Sequence, residues 1–216
     1  MDFQRARSPE RKEQRRQAIL DAAAQVLDRD GIEATSLNAI AREAGIVKSA
    51  LYRYFESREE IFLRLMLQDL RDLTDSLAAT VHGPVPTSTL ATVMATGFAA
   101  RPRLCTFISQ LAMTLERNVT GAVLRDIKLA LLDEGNRAAK VVGRALPEIP
   151  AAACQQAVQI AFCLVAGHWP MANPTGELDR LLQEAVFQPF RHDFEDFMKT
   201  ALVTLFAGLA KEAAPA

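Results

Sequence analysis

The stretch "EAGIVKSALYRYF", residues 43–55, decides how this chain is read. A short apolar-patterned segment ends on Gly45, and two residues later a second begins that carries Lys48, Ser49, Tyr52, Arg53 and Tyr54. Glycine takes the left-handed conformation that ends a helix without a Cβ clash. Upstream, "ATSLNAIAREAG" spaces Leu37, Ile40, Ala41 and Ala44 along one face of a short helix, with Thr35 or Ser36 as its N-cap. Ile46, Leu51 and Phe55 fall where they can share a small core with Ile40 and Ala44, and Ala41 lets two helices approach. The pattern is a helix, a tight turn and a second helix crossing it steeply, a helix-turn-helix.

The groups left outside on the second helix suit DNA. Lys48 can reach guanine O6/N7, and the Ser49 hydroxyl and Ala50 methyl can meet base edges in a major groove. Tyr52, Arg53 and Tyr54 suit phosphates, which position a protein without reading sequence. The plainer readings are a solvated Lys48, and Tyr54 with Phe55 packed between the first and fourth helices.

Working outward, a first helix is expected from Ser8 or Pro9 to Arg29, with Ile19, Ala22, Ala23, Val26 and Leu27 on one face and Gly31 closing it. A fourth opens at Ser57, with Glu60 three residues on as a capping box ahead of Ile61, Phe62, Leu65 and Met66. "HGPVPTS" (82–88) is the first clear break; others fall at Arg101-Pro102, Thr120-Gly121, "LPEIP" (146–150) and "WPMANPTGE" (169–177). Helical spacing fills 89–99, 103–117, 121–145, 151–168 and 178–210, the last kinked or restarted at "QPF" (188–190). No segment alternates like a strand. The expected fold is all-α, with about nine helices.

Charge narrows the function. The formal net charge is −1, and residues 1–60 carry 11 Lys+Arg against 11 Asp+Glu, which excludes a broadly basic coat but not a basic face. Residues 1–16 hold six cations against three acids, an arm either for a minor groove or for solvent. Cys105, Cys154 and Cys163 sit irregularly in apolar runs, which reads as buried free thiols in a reducing compartment, with no metal spacing. The N-terminus lacks the apolar stretch of a signal peptide, and the run at Ile160–Gly167 is too short to span a bilayer. A cytoplasmic protein with no membrane partner is expected. His82, His168 and His192 are far apart, "RHDFED" (191–196) lacks a two-histidine metal spacing, and no glycine-rich phosphate loop is present. No enzyme, cofactor or metal is expected.

Together, Gly31-Ile32, Thr35-Ser36-Leu37, Ile40-Ala41, Ala44-Gly45-Ile46, Leu51-Tyr52, Tyr54-Phe55 and Ser57-Arg58-Glu59-Glu60 resemble the DNA-binding signature of the tetracycline-repressor-like transcriptional regulators, over about residues 12–66. The resemblance implies a helix-turn-helix domain in residues 1–56, a ligand-binding and dimerising domain in 57–216, and repression of a palindromic operator relieved by a small molecule. It places Ser36 on phosphate and Asn38 on a base. Lys48, Ser49 and Ala50 read base edges, Tyr52 and Tyr54 hold the backbone, Arg53 meets base or phosphate, and Arg58 holds phosphate from the far side. Many members have a hydroxyl or amide cap where this chain has Val47.

Palindromic recognition needs two heads roughly 34–36 Å apart, hence a homodimer. The C-terminal stripe Phe194, Phe197, Met198, Ala201, Leu202, Leu205, Phe206 and Leu209, with Val158, Phe162 and Val165 before it, serves either as core or as an interface. The resemblance, in which the last two long helices form a four-helix contact, favours the interface. A pocket for an apolar effector is expected within 89–175, from Phe98, Phe107, Leu111, Met113, Phe162 and Trp169, with His168 as its polar group. A helical dimer with an architectural or protein-binding role, without operator specificity, is the alternative.

Overall fold

The computed structural model describes the backbone of residues 3–213 and the side chains of residues 10–212. The order is α1 (Phe3–Ala34), α2 (Leu37–Glu43), α3 (Lys48–Leu51), α4 (Arg58–Thr80), α5 (Thr87–Ala99), α6 (Pro102–Gln110), α7 (Gly121–Ala145), α8 (Ala151–Ala172), α9 (Gly176–Leu181) and α10 (Phe194–Ala213). A π-helical turn (Leu111–Leu115) and a 3₁₀ turn (Glu116–Asn118) follow α6, and another 3₁₀ turn (Ala185–Phe190) precedes α10. The described residues contain no strand, so the fold is all-α.

Several boundaries differ from those expected. Helix begins at Phe3, ahead of Ser8, so the backbone of the basic arm continues into α1; the Arg5 and Arg7 side chains lie outside the described residues. Helical geometry breaks at Gly31, whose φ of 78° only glycine takes readily. The expected 103–117 helix stops at Gln110 and widens into the π turn, which keeps both Leu111 and Leu115 buried. The segment expected at 151–168 runs four residues further, through Pro170. The long last helix is really three pieces: α9, the turn holding Pro189, and α10, whose first turn is capped by the Asp193 carboxylate accepting from the Asp196 N–H at 2.8 Å.

The chain divides into two compact units. The first runs to Leu65 and takes in Met113–Ile127 from the middle of the chain. The inner face of α1 (Ile19, Ala23, Val26), with Ile40, Leu51 and Phe55, forms its fully buried core. Ser36 caps α2, its hydroxyl accepting from the Ala39 N–H, while the Thr35 hydroxyl is buried and donates to the Gly31 carbonyl. α2 closes on Gly45 (φ 64°): the Ile46 N–H donates to the Ala41 carbonyl at 2.9 Å and the Gly45 N–H to that of Arg42 at 3.2 Å, the paired bonds of a Schellman motif.

The second unit comprises Met66–Ala112 and the residues from Lys128 onward. α10 packs on α5 and α8, and α8 on α6. Met198, Leu202 and Phe206 are fully buried there, as are Leu90 and Leu104. α5 approaches α4 so closely that a Cβ on Gly97 would stand 2.8 Å from a Leu73 methyl. Cys105 and Cys154 are buried as expected, and burial pushes the Cys105 thiol up to about 12; Cys163 is exposed, a correction.

Gly45→Ala puts a Cβ into the left-handed region, with an expected cost of about 1–2 kcal/mol. The urea midpoint of the full chain checks this; an unchanged midpoint would show the turn can be made with another backbone.

Candidate nucleic-acid interface and apolar cavity

Val47, in extended conformation (φ −75°, ψ 146°), turns the chain from Gly45 into α3, and no side chain caps that helix. Leu51 and Phe55 anchor it, being 0% and 1% exposed. This leaves Lys48, Ser49, Tyr52 and Arg53 fully outward, with Ser36 and Asn38 exposed at the start of α2. Ala50 and Tyr54 are half-buried. α3 proper is only four residues long, so Tyr52, Arg53 and Tyr54 belong to the turn that follows it. The outcome is a rigidly held outward face of one amine, one guanidinium, one phenol and one hydroxyl.

The second unit encloses an apolar cavity of about 540 Å³, within the usual range for ligand pockets. Leu70, Leu73 and Leu77 of α4 form one wall, Met94 and Phe98 of α5 another, and Leu131, Leu132 and Ala138 of α7 a third. Val158, Ala161 and Phe162 of α8 complete it, with Leu111 of the π turn. Of the expected pocket residues, Phe98, Leu111 and Phe162 line this space. The other four do not, and each has a reason. Phe107 is 1% exposed in the core, and Met113 is 68% exposed in the first unit. Trp169 packs edge-on against Phe194 and donates from Nε1 to the Thr106 hydroxyl. His168 stacks on Phe197, with ring centroids 3.6 Å apart. The α4 wall was missed, because Leu70, Leu73 and Leu77 at helical spacing look like any core stripe.

A sequence model described as "Bacterial regulatory proteins, tetR family" matches residues 19–65, and one described as "Tetracyclin repressor-like, C-terminal domain" matches residues 66–213. The chain belongs to the tetR family of bacterial regulators. Among similar proteins, the HTH-type transcriptional regulator BetI of Agrobacterium fabrum is 32% identical over 85 residues, which are 39% of this chain and 41% of BetI. The chain thus spans less than half the length of the curated relatives it matches. A TetR transcriptional regulator from Rhodococcus sp. RHA1 superposes with a TM-score of 0.60 at 18% identity, over 94% of this chain and 100% of the other. FadR from Bacillus subtilis, solved in complex with stearoyl-CoA, gives 0.56 at 16% identity, over 89% and 98%. These solved structures show a shared fold.

In this tetR-family head, the arginine expected on phosphate is already engaged. Arg58 donates from Nη1 to the Thr35 carbonyl at 3.1 Å and from Nε and Nη2 to Glu59 at 3.2 and 3.0 Å. Its guanidinium also lies 5.3 Å from the centroid of the Phe62 ring. These bonds use three of the five N–H groups of Arg58, whose side chain is 33% exposed, so a phosphate would share the guanidinium with Thr35 and Glu59. A second network went unforeseen. Buried Glu60 accepts the Glu56 N–H at 2.9 Å and pairs with Arg16 and Arg64, each at 3.5 Å. Arg16 also donates to the Tyr54 carbonyl at 2.8 Å, which fixes the end of the recognition turn. The Glu56 carboxylate in turn accepts the N–H and hydroxyl of Thr120, at 2.7 and 2.9 Å.

The expected interface stripe divides as well. Val165, Phe194, Met198, Leu202 and Phe206 are buried within the single chain, so they serve its own core and are corrected to that role. Val158, Phe162, Ala201, Leu205 and Leu209 remain partly exposed, and Phe197 is 38% exposed. Burial, and the neighbouring His192, hold the His168 imidazole below the usual histidine range; the Asp193 carbonyl opposes this in part.

Arg58→Ala is expected to cost roughly 1–3 kcal/mol of stability, read as a lower urea midpoint; unchanged stability with weakened DNA binding would restore its phosphate role. For His168, the folded chain binds a proton less readily than the unfolded one. Stability therefore falls as pH drops below about 6.5, the unfolded value. Midpoints at about pH 7 and about pH 5 should differ more in the parent than in His168→Gln, and equal differences would contradict the assignment.

Proposed function

We propose that this tetR-family chain is a repressor that binds a palindromic operator as a homodimer and is released by a small apolar effector. The observation that carries the reading is the outward Lys48, Ser49, Tyr52, Arg53 face on a helix anchored by Leu51 and Phe55. Lys48, Ser49 and Ala50 read base edges in the major groove, while Ser36, Tyr52 and Tyr54 hold phosphates; Asn38 adds a base contact and Arg53 a contact to base or phosphate. Arg58, tied to Thr35 and Glu59, acts by supporting this face.

The homodimer is formed through the accessible part of the C-terminal stripe, Phe197, Ala201, Leu205 and Leu209, with Val158 and Phe162 of α8. The effector occupies the 540 Å³ cavity, whose walls are mostly aliphatic. Release follows from population shift: a ligand that prefers one arrangement of the cavity walls moves the equilibrium by its differential affinity, about 1–3 kcal/mol in typical regulators. Three chain segments carry cavity residues and continue into the head: α4, the π turn after α6, and α7. No helix among the described residues is long and apolar enough to cross a membrane.

Selection of bound sequences from random duplex DNA is expected to yield a near-palindrome bound by a dimer. On that site, Lys48→Ala should lose about 1–3 kcal/mol and relax preference at one base pair. Tyr52→Phe should weaken specific and random DNA alike. Enrichment of no sequence, with salt-dependent binding to all DNA, would favour the architectural alternative.

A further inference from the structure

α1 outruns the core it covers. Its geometry is helical from Phe3 to the break at Gly31. At about 100° per residue, buried Ile19, Ala22, Ala23 and Val26 share one sector of the helix about 140° wide. Arg11, Lys12, Arg15 and Arg16 fall in that same sector, N-terminal to them. The exposed acids Glu10, Glu13, Asp21 and Asp28 all lie outside it. One face of one helix is thus apolar over the core and cationic where the helix continues past it.

Arg16 marks the boundary. It donates to the Tyr54 carbonyl at 2.8 Å, lies 4.4 Å from the centroid of the Phe55 ring and pairs with Glu60. The other three cations are different. Arg11, Lys12 and Arg15 are exposed, and among the described residues none is engaged in an ion pair or hydrogen bond. Lys12 stands one turn before Arg16, and Arg11 one turn before Arg15, about 5–6 Å between Cβ atoms in each pair. Like charges so placed destabilise a helix, and no acid within the sector offsets them. A polyanion laid along this face would.

The stripe begins beside the recognition turn, since Arg16 grips the backbone of Tyr54. The polyanion within its reach is therefore the one on which α3 docks. An α-helix is about 10–12 Å across and the minor groove only about 6 Å wide, so this extension cannot enter that groove as an arm. The phosphate ridge is left. From Arg11 to Arg16 the helix rises about 7.5 Å, the span of roughly two phosphates on one strand at about 3.4 Å each. We propose that the extension of α1 is a rigid strut whose Arg11, Lys12 and Arg15 pair with backbone phosphates beside the bases met by α3. This rests on the DNA-binding reading above and adds contacts that carry no sequence information.

The test is the salt dependence of binding by the full chain, on random duplex DNA and on the selected operator. The triple variant Arg11→Gln, Lys12→Gln, Arg15→Gln should flatten the slope of log K against log salt by roughly 2–4, for two phosphates on each of one or two heads. Glutamine is a good helix former and all three positions are exposed, so the thermal midpoint should not move. Should it fall, Lys12→Gln alone decides, with an expected flattening of about 1–2. Glu10→Gln, Glu13→Gln, outside the sector, should leave the slope unchanged. Selection with the triple variant should recover the same palindrome as the parent. An unchanged slope would show a merely solvated face. An altered palindrome, or parent affinity that changes when A·T flanks are replaced by G·C, would show base reading; either result overturns the proposal. Phosphate contacts are independent of sequence, so the slope on random duplex decides even where selection enriches nothing. Failure here and failure of the operator reading are separate results.

Discussion

One buried carboxylate organises the DNA-binding head. Glu60 is 5% exposed and receives the backbone N–H ahead of α4, Arg16 from α1 and Arg64 from the next turn of its own helix. Arg16 passes the constraint to the carbonyl of Tyr54, and Arg64 passes it to Asp126 on α7 at 2.6 Å. A charge taken out of water is tolerated only when it is paired and hydrogen-bonded. Here the need for those partners fixes α1, the recognition turn, α4 and the start of α7 in one arrangement. The outward face of α3 is precise because it is suspended between this polar network on one side and Leu51 and Phe55 on the other.

The helix-turn-helix was legible in the sequence because its determinants are local. Gly45 dictates the Schellman turn, Ser36 caps α2, and Ser57 with Glu60 opens α4, each within five residues of what it controls. The all-α class was legible for the same reason. The rest depended on contacts distant in sequence. Nothing in residues 56–60 announces that Arg58 will be claimed by Thr35, 23 residues away, or that Glu56 will reach Thr120, 64 residues away. Whether an apolar stripe faces core, cavity or partner is likewise not a local property, so Phe107 and Phe98 could not be told apart, nor Met198 and Phe197. The break of the last segment into α9, a 3₁₀ turn and α10 was only partly foreshadowed, by Pro189.

In the second unit, close packing and empty space lie side by side on the same helices. Leu73 of α4 meets α5 at Gly97, where an added Cβ would push its methyl aside, and also lines the cavity. A wall so placed transmits displacement poorly by deformation and well by rigid motion, since interiors packed like crystals shift as pieces. The ion pairs Arg71–Glu134–Arg137 set how α4 and α7 are held at that wall.

The recruitment of Met113–Ile127 into the head has an evolutionary corollary. A head cut from this protein after residue 65 would leave behind Thr120 and Asp126, so the Glu56 carboxylate would lose its bonds to Thr120 and Arg64 would keep Glu60 but lose Asp126. DNA-reading heads of this build are therefore not freely exchangeable cassettes. A chimera that grafts one onto another body must carry the mid-chain segment along, or find in its new host a segment that presents the same hydroxyl and carboxylate. Drift in operator preference and drift in the body are, to that extent, inherited together.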